Sequence, residues 1–216
     1  MRKFILCMFL TVSCAVVAMA DEKTDLVKYV NTLQGTNSNF TITHGNTYPS
    51  VTLPFGMHSW SAQTGVNGDG WKYQYDRDSI RAFQQAHQCS SWTNDYFVYS
   101  LMPVSGTLKV DQYGRAARFS HKNETAKPHY YSVTKAEISP VERGAHLRFS
   151  FPKGEKAFVV LDGYTGMSSV NIDPKARRIT GYVRNGRLLH PGSRNYFVIE
   201  FDKPFVSFGT WDNATG

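Results

Sequence analysis

Cysteine is scarce in this 216-residue sequence, and its placement excludes more than its number does. Of three cysteines, Cys7 and Cys14 fall within the first twenty residues, which leaves Cys89 alone in the remainder. No internal disulfide can close there, and a single cysteine outside any CxxC pair is not a metal cluster. Cys89 reads as a buried, inert thiol, with a nucleophile as the alternative. Long apolar runs are missing too: the longest, Phe4 to Val17, is broken by Thr11 and Ser13 and is too short to span a bilayer comfortably. Charge of one sign is never gathered. Arg77, Arg81, Lys109, Arg115, Arg118, Arg177, Arg178, Arg184 and Arg187 are dispersed among acids, which argues against the basic stripe of a nucleic-acid binder. Repeats, low-complexity tracts and a sustained helical period are also lacking.

The first residues are nonetheless organised. Met1-Arg2-Lys3 is basic, an apolar stretch follows, and Ala18-Met19-Ala20 precedes the charged Asp21-Glu22-Lys23. That order describes a Sec-type secretory signal peptide over residues 1–20, cleaved after Ala20, and places the protein outside the cytoplasm, secreted or periplasmic. An uncleaved anchor is the alternative, and a lipoprotein signal ending at Cys14 fits the preceding Thr11-Val12-Ser13 poorly. Cleavage removes Arg2 and Lys3, so the formal charge falls from +7 to +5, with no membrane span left in residues 21–216.

From Val104 onward a period of two is clear. Ala145, Leu147, Phe149 and Phe151 alternate with His146, Arg148 and Ser150, and Phe197, Ile199 and Phe201 alternate with Val198, Glu200 and Asp202. Such alternation is the mark of half-buried strands. Phe158 to Leu161 and Val206 to Phe208 read as further strands. Turn signals at Ser105-Gly106, Arg143-Gly144, Lys153-Gly154, Asn185-Gly186 and Pro191-Gly192 separate the runs. Asn185-Gly186 is a type I′ hairpin signal. Many short strands without a long helix predict an all-β fold, an antiparallel β-sandwich.

Aromatic residues make up 14% of the chain and crowd between Trp60 and Tyr99, mixed with Gln63, Gln74, Gln85, His87, Gln88, Asn94 and Asp95. Sugars are held by this combination: C–H faces lie on aromatic rings while amides, imidazoles and carboxylates take the hydroxyls. Core packing is the alternative for every one of these rings. The acids offer no evident catalytic pair, and Asp76 and Asp78 around Arg77 do not complete a calcium loop.

The order of residues in this stretch goes further. Trp71-x-Tyr73-x-Tyr75, Ile80-Arg81-Ala82-Phe83, Gln85-Ala86-His87-Gln88-Cys89-Ser90-Ser91-Trp92-Thr93-Asn94-Asp95-Tyr96 and Leu101-Met102-Pro103-Val104-Ser105-Gly106 follow one another. Upstream stand Val30 to Thr36, Thr47-Tyr48-Pro49-Ser50-Val51-Thr52-Leu53-Pro54-Phe55-Gly56-Met57, and Gln63-Thr64-Gly65. Together they resemble the N-terminal domain of glycoside hydrolase family 92 over about residues 25–212. The resemblance implies calcium-dependent exo-α-mannosidases that invert the anomeric configuration while trimming N-glycans or mannans. It implies an N-terminal sandwich of the galactose-mutarotase-like supersandwich type, over residues 21–216, packed on an (α/α)6 catalytic barrel. The acid, the base and the Ca²⁺ ligands are expected on that barrel, absent from this sequence, so the chain alone is expected to be inactive. On the matching positions, Trp71 and Trp92 are expected as apolar walls of the sugar pocket. His87 and Asp95 are expected to bind hydroxyls, supported by Gln88. A free-standing carbohydrate-binding module is the competing reading.

Overall fold

The computed structural model describes residues 26–38, 41–42, 44–65, 72–87, 98–164, 167–185 and 190–212. An N-terminal unit ends at Val30 and contains a 3-10 turn over Leu26–Tyr29, with the Lys28 ammonium 5.1 Å from the centre of the Tyr29 ring. Asn31 begins the unit that carries the fold.

In chain order the strands among the described residues are β1 (Ser59–Gln63), β2 (Ser79–Ile80), β3 (Ala82–Ala86), β4 (Ser100–Ser105) and β5 (Ala117–Arg118). They continue with β6 (Glu124–Lys127), β7 (Tyr130–Val133), β8 (Ala136–Val141), β9 (Gly144–Phe149) and β10 (Ala157–Asp162). The last are β11 (Met167–Asp173), β12 (Arg178–Arg184) and β13 (Asn195–Glu200). All pair antiparallel, in sheets ordered β1-β3-β4-β10, β6-β7-β8-β9 and β11-β12-β13, with β2 and β5 as a short pair.

The first two sheets face each other across one core. Phe83 of β3 lies 6.4 Å from Tyr131 of β7 and 6.0 Å from Phe149 of β9, ring centre to ring centre. Trp60, Leu101, Met102 and Val160 fill the first sheet's side, and Val133 and Ile138 the second's. The third sheet joins the same core through Val183 and Phe197, whose ring lies 4.8 Å from Tyr99. Burying a large apolar side chain contributes about 1.5–3 kcal/mol, so this apolar cluster is the main support of the fold.

The alternation read from the sequence holds where it was clearest. In β13 Phe197 is buried while Val198 and Glu200 are exposed, and in β9 Leu147 and Phe149 are better covered than His146 and Arg148. One expectation needs correction. Val206 to Phe208 is not a strand, and both apolar side chains are exposed. Phe205 there stacks edge-on between Phe201 (5.5 Å) and Phe208 (6.1 Å), so the segment packs on its own rings instead of on a sheet. β12 pairs with β13, in register Val183 with Asn195, and of the Asn185-Gly186 hairpin signal Gly186 and the three residues after it lie outside the described residues. Asn185 has another use, described below. Among the described residues no helix is long and apolar enough to cross a membrane.

Candidate functional site

Trp71, Gln88, Trp92 and Asp95 lie outside the described residues, and of the expected sugar contacts His87 alone can be placed. The fold does define the bases of the segments that carry them. Before residues 66–71 stands Gln63, at the end of β1; after residues 88–97 come Val98 and Ser100; Tyr164 and Asn185 follow β10 and β12.

These flanking residues meet in a buried polar floor. The Tyr164 hydroxyl is 2.5 Å from Gln63 Oε1 and 2.7 Å from Ser100 Oγ. With its single proton it donates to the amide oxygen and accepts from the serine. Asn185 Oδ1 accepts from the Val98 N–H at 2.8 Å, while Asn185 Nδ2 donates to the carbonyls of Val98 (2.6 Å) and Gly163 (2.8 Å). Asn195 Nδ2 donates to Gln85 Oε1 at 2.7 Å. Beneath them Arg115 Nη2 pairs with Asp162 Oδ2 at 2.7 Å, and Asp162 Oδ1 accepts from the Tyr164 N–H at 2.8 Å. Arg115 also donates to the carbonyls of Val110 (2.6 Å) and Arg81 (3.0 Å). Burial, reinforced by the Asp162 charge, pushes the Tyr164 phenol above its ordinary range, and burial takes Tyr99 up to about 12.

A second anchor holds the segment that follows Trp71. The Thr64 N–H donates to the Lys72 carbonyl (2.8 Å), the Gln74 N–H to Thr64 Oγ1 (2.9 Å) and the Tyr75 N–H to the Thr36 carbonyl (3.1 Å). Glu124, at the start of β6, receives the Tyr73 hydroxyl between its two oxygens (2.9 Å to each) and the Tyr131 hydroxyl at 2.6 Å. His121 Nδ1 lies 2.6 Å from the same carboxylate, its Nε2 faces the Tyr75 carbonyl at 2.7 Å, and its ring stacks on Tyr75 at 4.0 Å. Burial first, and then the Glu124 charge, drives both Tyr73 and Tyr131 well above the usual phenol range. Tyr73 thus follows the core-packing alternative that the sequence leaves open for these rings. Its partner at position 124 was invisible there, because 51 residues separate them.

His87 follows β3, is half-buried, and lies edge-on to His58 with ring centres 5.3 Å apart. His58 Nδ1 is buried and meets no hydrogen-bond partner among the described residues. Burial, and then the nearby Arg143 charge, lowers the His58 pKa below the ordinary 6.5, which favours the neutral ring. Neutral imidazole carries one donor and one acceptor, the pair that a sugar hydroxyl matches.

The described residues do not form a calcium site. No three acidic, histidine or cysteine side chains among them gather around one point. The buried carboxylates are committed elsewhere, Glu124 to two tyrosines and a histidine, Asp162 to Arg115. The apolar cleft of about 560 Å³ between Phe83, Met102, Phe119 and Val133 also lies apart from His87, which does not line it.

Fold and geometry define an antiparallel β-sandwich with a buried polar network joining the ends of β1, β4, β10 and β12. The chain belongs to glycoside hydrolase family 92: the glycosyl hydrolase family 92 N-terminal domain matches residues 29–216. Among solved structures, it is similar to the family GH92 inverting mannosidase BT2199 from Bacteroides thetaiotaomicron VPI-5482. Identity there is 42% and the TM-score 0.86, over 90% of this chain and 27% of that one. The α-mannosidase BT3965 of Bacteroides thetaiotaomicron, in complex with mannoimidazole, is 25% identical at a TM-score of 0.68, over 84% of this chain and 26% of that one. The chain therefore spans about a quarter of the length of the mannosidases it matches. No protein of curated function matches the sequence.

Proposed function

We propose that this chain is the sugar-pocket-contributing N-terminal domain of a secreted exo-α-mannosidase that hydrolyses terminal α-mannosides of N-glycans or mannans with inversion. The observation that carries the reading is the 42% identity to an inverting mannosidase across nine-tenths of the chain. Residues 1–20 act as the signal peptide and residues 21–216 as the domain. Trp71 and Trp92 offer apolar walls, His87 and Asp95 take hydroxyls, and Gln88 supports them.

Inversion needs an acid to protonate the leaving oxygen and a base to activate water on the opposite face, with the two carboxyl groups about 6.5–9.5 Å apart. Glu124 and Asp162, the buried carboxylates described above, are engaged in tyrosine, histidine and arginine contacts and serve neither role. The acid, the base and the Ca²⁺ ligands are assigned to an (α/α)6 domain, and the isolated chain is inactive. No step in this chain's contribution runs through the metal.

The test joins this chain to the part of an inverting family 92 mannosidase that it does not span, and follows α-mannoside hydrolysis by proton NMR. Release of mannose with inverted configuration, abolished by chelation and restored by Ca²⁺, is the expected result. No release from any member of an α-mannoside panel sinks the proposal. Hydrolysis by the chain alone overturns the assignment of the acid and base to a second domain.

A further inference from the structure

Two aromatic residues among those described hold left-handed backbone, Tyr164 and Phe55, each with φ of 59°. That conformation is unfavourable for bulky side chains and persists only where the surroundings impose it. At Tyr164 the offset is visible: its hydroxyl and its N–H are both bonded in the polar floor. At Phe55 the side chain gives nothing back. It is fully exposed, at 104% of the reference area, and no ring or cation among the described residues lies against it.

The turn beneath Phe55 is firmly held. The Thr52 N–H donates to the Pro128 carbonyl (2.8 Å), the Gly56 N–H to Leu53 (2.9 Å) and the Met57 N–H to Glu142 (2.9 Å). Thr52 Oγ1 closes the loop by donating to the His58 carbonyl at 2.9 Å. Gly56 is required here, since a Cβ would stand 2.9 Å from Thr52 Oγ1 and 3.1 Å from the Leu53 carbonyl oxygen. A fixed turn thus presents a strained, uncovered phenyl ring, with the exposed Met57 beside it. The turn ends at His58, and His87 lies edge-on against His58. Phenyl has no hydrogen-bonding group, so it recognises the C–H face of a sugar ring and leaves the hydroxyls to neighbouring polar groups.

We infer that Phe55 is a stacking platform for an α-mannoside unit at the rim of the His87 site, a contact residue beyond those expected from the sequence. The inference rests on the reading of that site as a mannoside wall. It is tested on the chain itself by saturation-transfer NMR with methyl α-mannoside and an α-mannobiose, which detects weak binding. Wild type and Phe55→Tyr should both transfer saturation to sugar ring protons. Phe55→Gly, which relieves the backbone strain, should lower affinity by about two- to tenfold, the range of one aromatic contact, with a Tm equal to or above that of wild type. Undiminished transfer in Phe55→Gly overturns the platform and leaves the mannoside wall standing. A lower Tm in Phe55→Gly shows that the ring packs for stability, and also overturns it. Loss of self-association in Phe55→Gly with transfer unchanged identifies a protein contact instead. No transfer to wild type at high sugar concentration removes the mannoside reading and the platform together.

Discussion

The Glu124 carboxylate is wholly shielded from solvent and lies 2.6 Å from His121 Nδ1. The other ring nitrogen of His121 faces the Tyr75 carbonyl, which only accepts. The two ring nitrogens of His121 thus bridge the start of β6 and the Tyr75 backbone. A buried carboxylate that receives two phenol hydroxyls and faces the imidazole therefore fixes the Tyr73–Tyr75 segment to the start of β6.

Glu124→Gln removes the charge and turns an amide NH₂ toward groups that donate. It should destabilise the domain by about 1.5–3 kcal/mol, the range for losing a hydrogen bond to a charged group. Urea unfolding with an unchanged slope checks this. A loss below experimental error shows that the cluster is not a support.

Arg115 and Asp162 form a buried ion pair, with the arginine side chain fully covered. Arg115→Met should cost about 3–5 kcal/mol by leaving Asp162 uncompensated. Adding Asp162→Asn, which keeps an acceptor for the Tyr164 N–H, should recover part of that loss. Strict additivity in the double-mutant cycle contradicts the pairing.

The lowered His58 pKa sets a slope at mildly acidic pH. Between its depressed folded value and the unfolded 6.5, the unfolded chain binds more protons, so stability rises with pH in that window and falls on acidification. His58→Gln should flatten the profile of Tm against pH, and Arg143→Ala, which lets the folded pKa rise toward 6.5, should flatten it in part. Identical profiles in wild type and His58→Gln refute the assignment.

Alkaline behaviour follows from Tyr73, Tyr99, Tyr131 and Tyr164, all raised above the ordinary 10 by burial first. Above pH 10 the unfolded chain loses phenol protons that the folded chain keeps. Stability is therefore full below that pH and declines as pH rises. Tyrosinate absorbance should lag at these four positions and then appear together with loss of circular dichroism. Gradual ionisation of all tyrosines without unfolding is the opposing result.

Much of the fold was legible because burial follows short-range pattern: Phe197 and Ile199 against Val198 gave β13 its inward face. What stayed hidden depends on contacts remote in sequence. Asn185 looked like a turn residue, yet its amide bridges Val98, 87 positions away. Tyr164 sits in a featureless stretch, and only the meeting of β1, β4 and β10 gives its hydroxyl two partners. The run at Val206 shows the opposite failure, since apolar composition alone does not supply a neighbouring strand. Of the site, family-like spacing pointed to His87, while the left-handed turn that displays Phe55 has no sequence signal beyond the Gly56 that follows it.

Gln63, Ser100, Tyr164 and Asn185 draw their partners from residues at the same level of the sandwich. Each of those bonds joins two described residues that flank positions 66–71, 88–97 or 186–189 or lie beside them. The strand ends thereby work as a socket: their bonds close on one another, so a change of length in the intervening segments should be absorbed without re-pairing the strands that hold Gln63, Ser100, Tyr164 and Asn185.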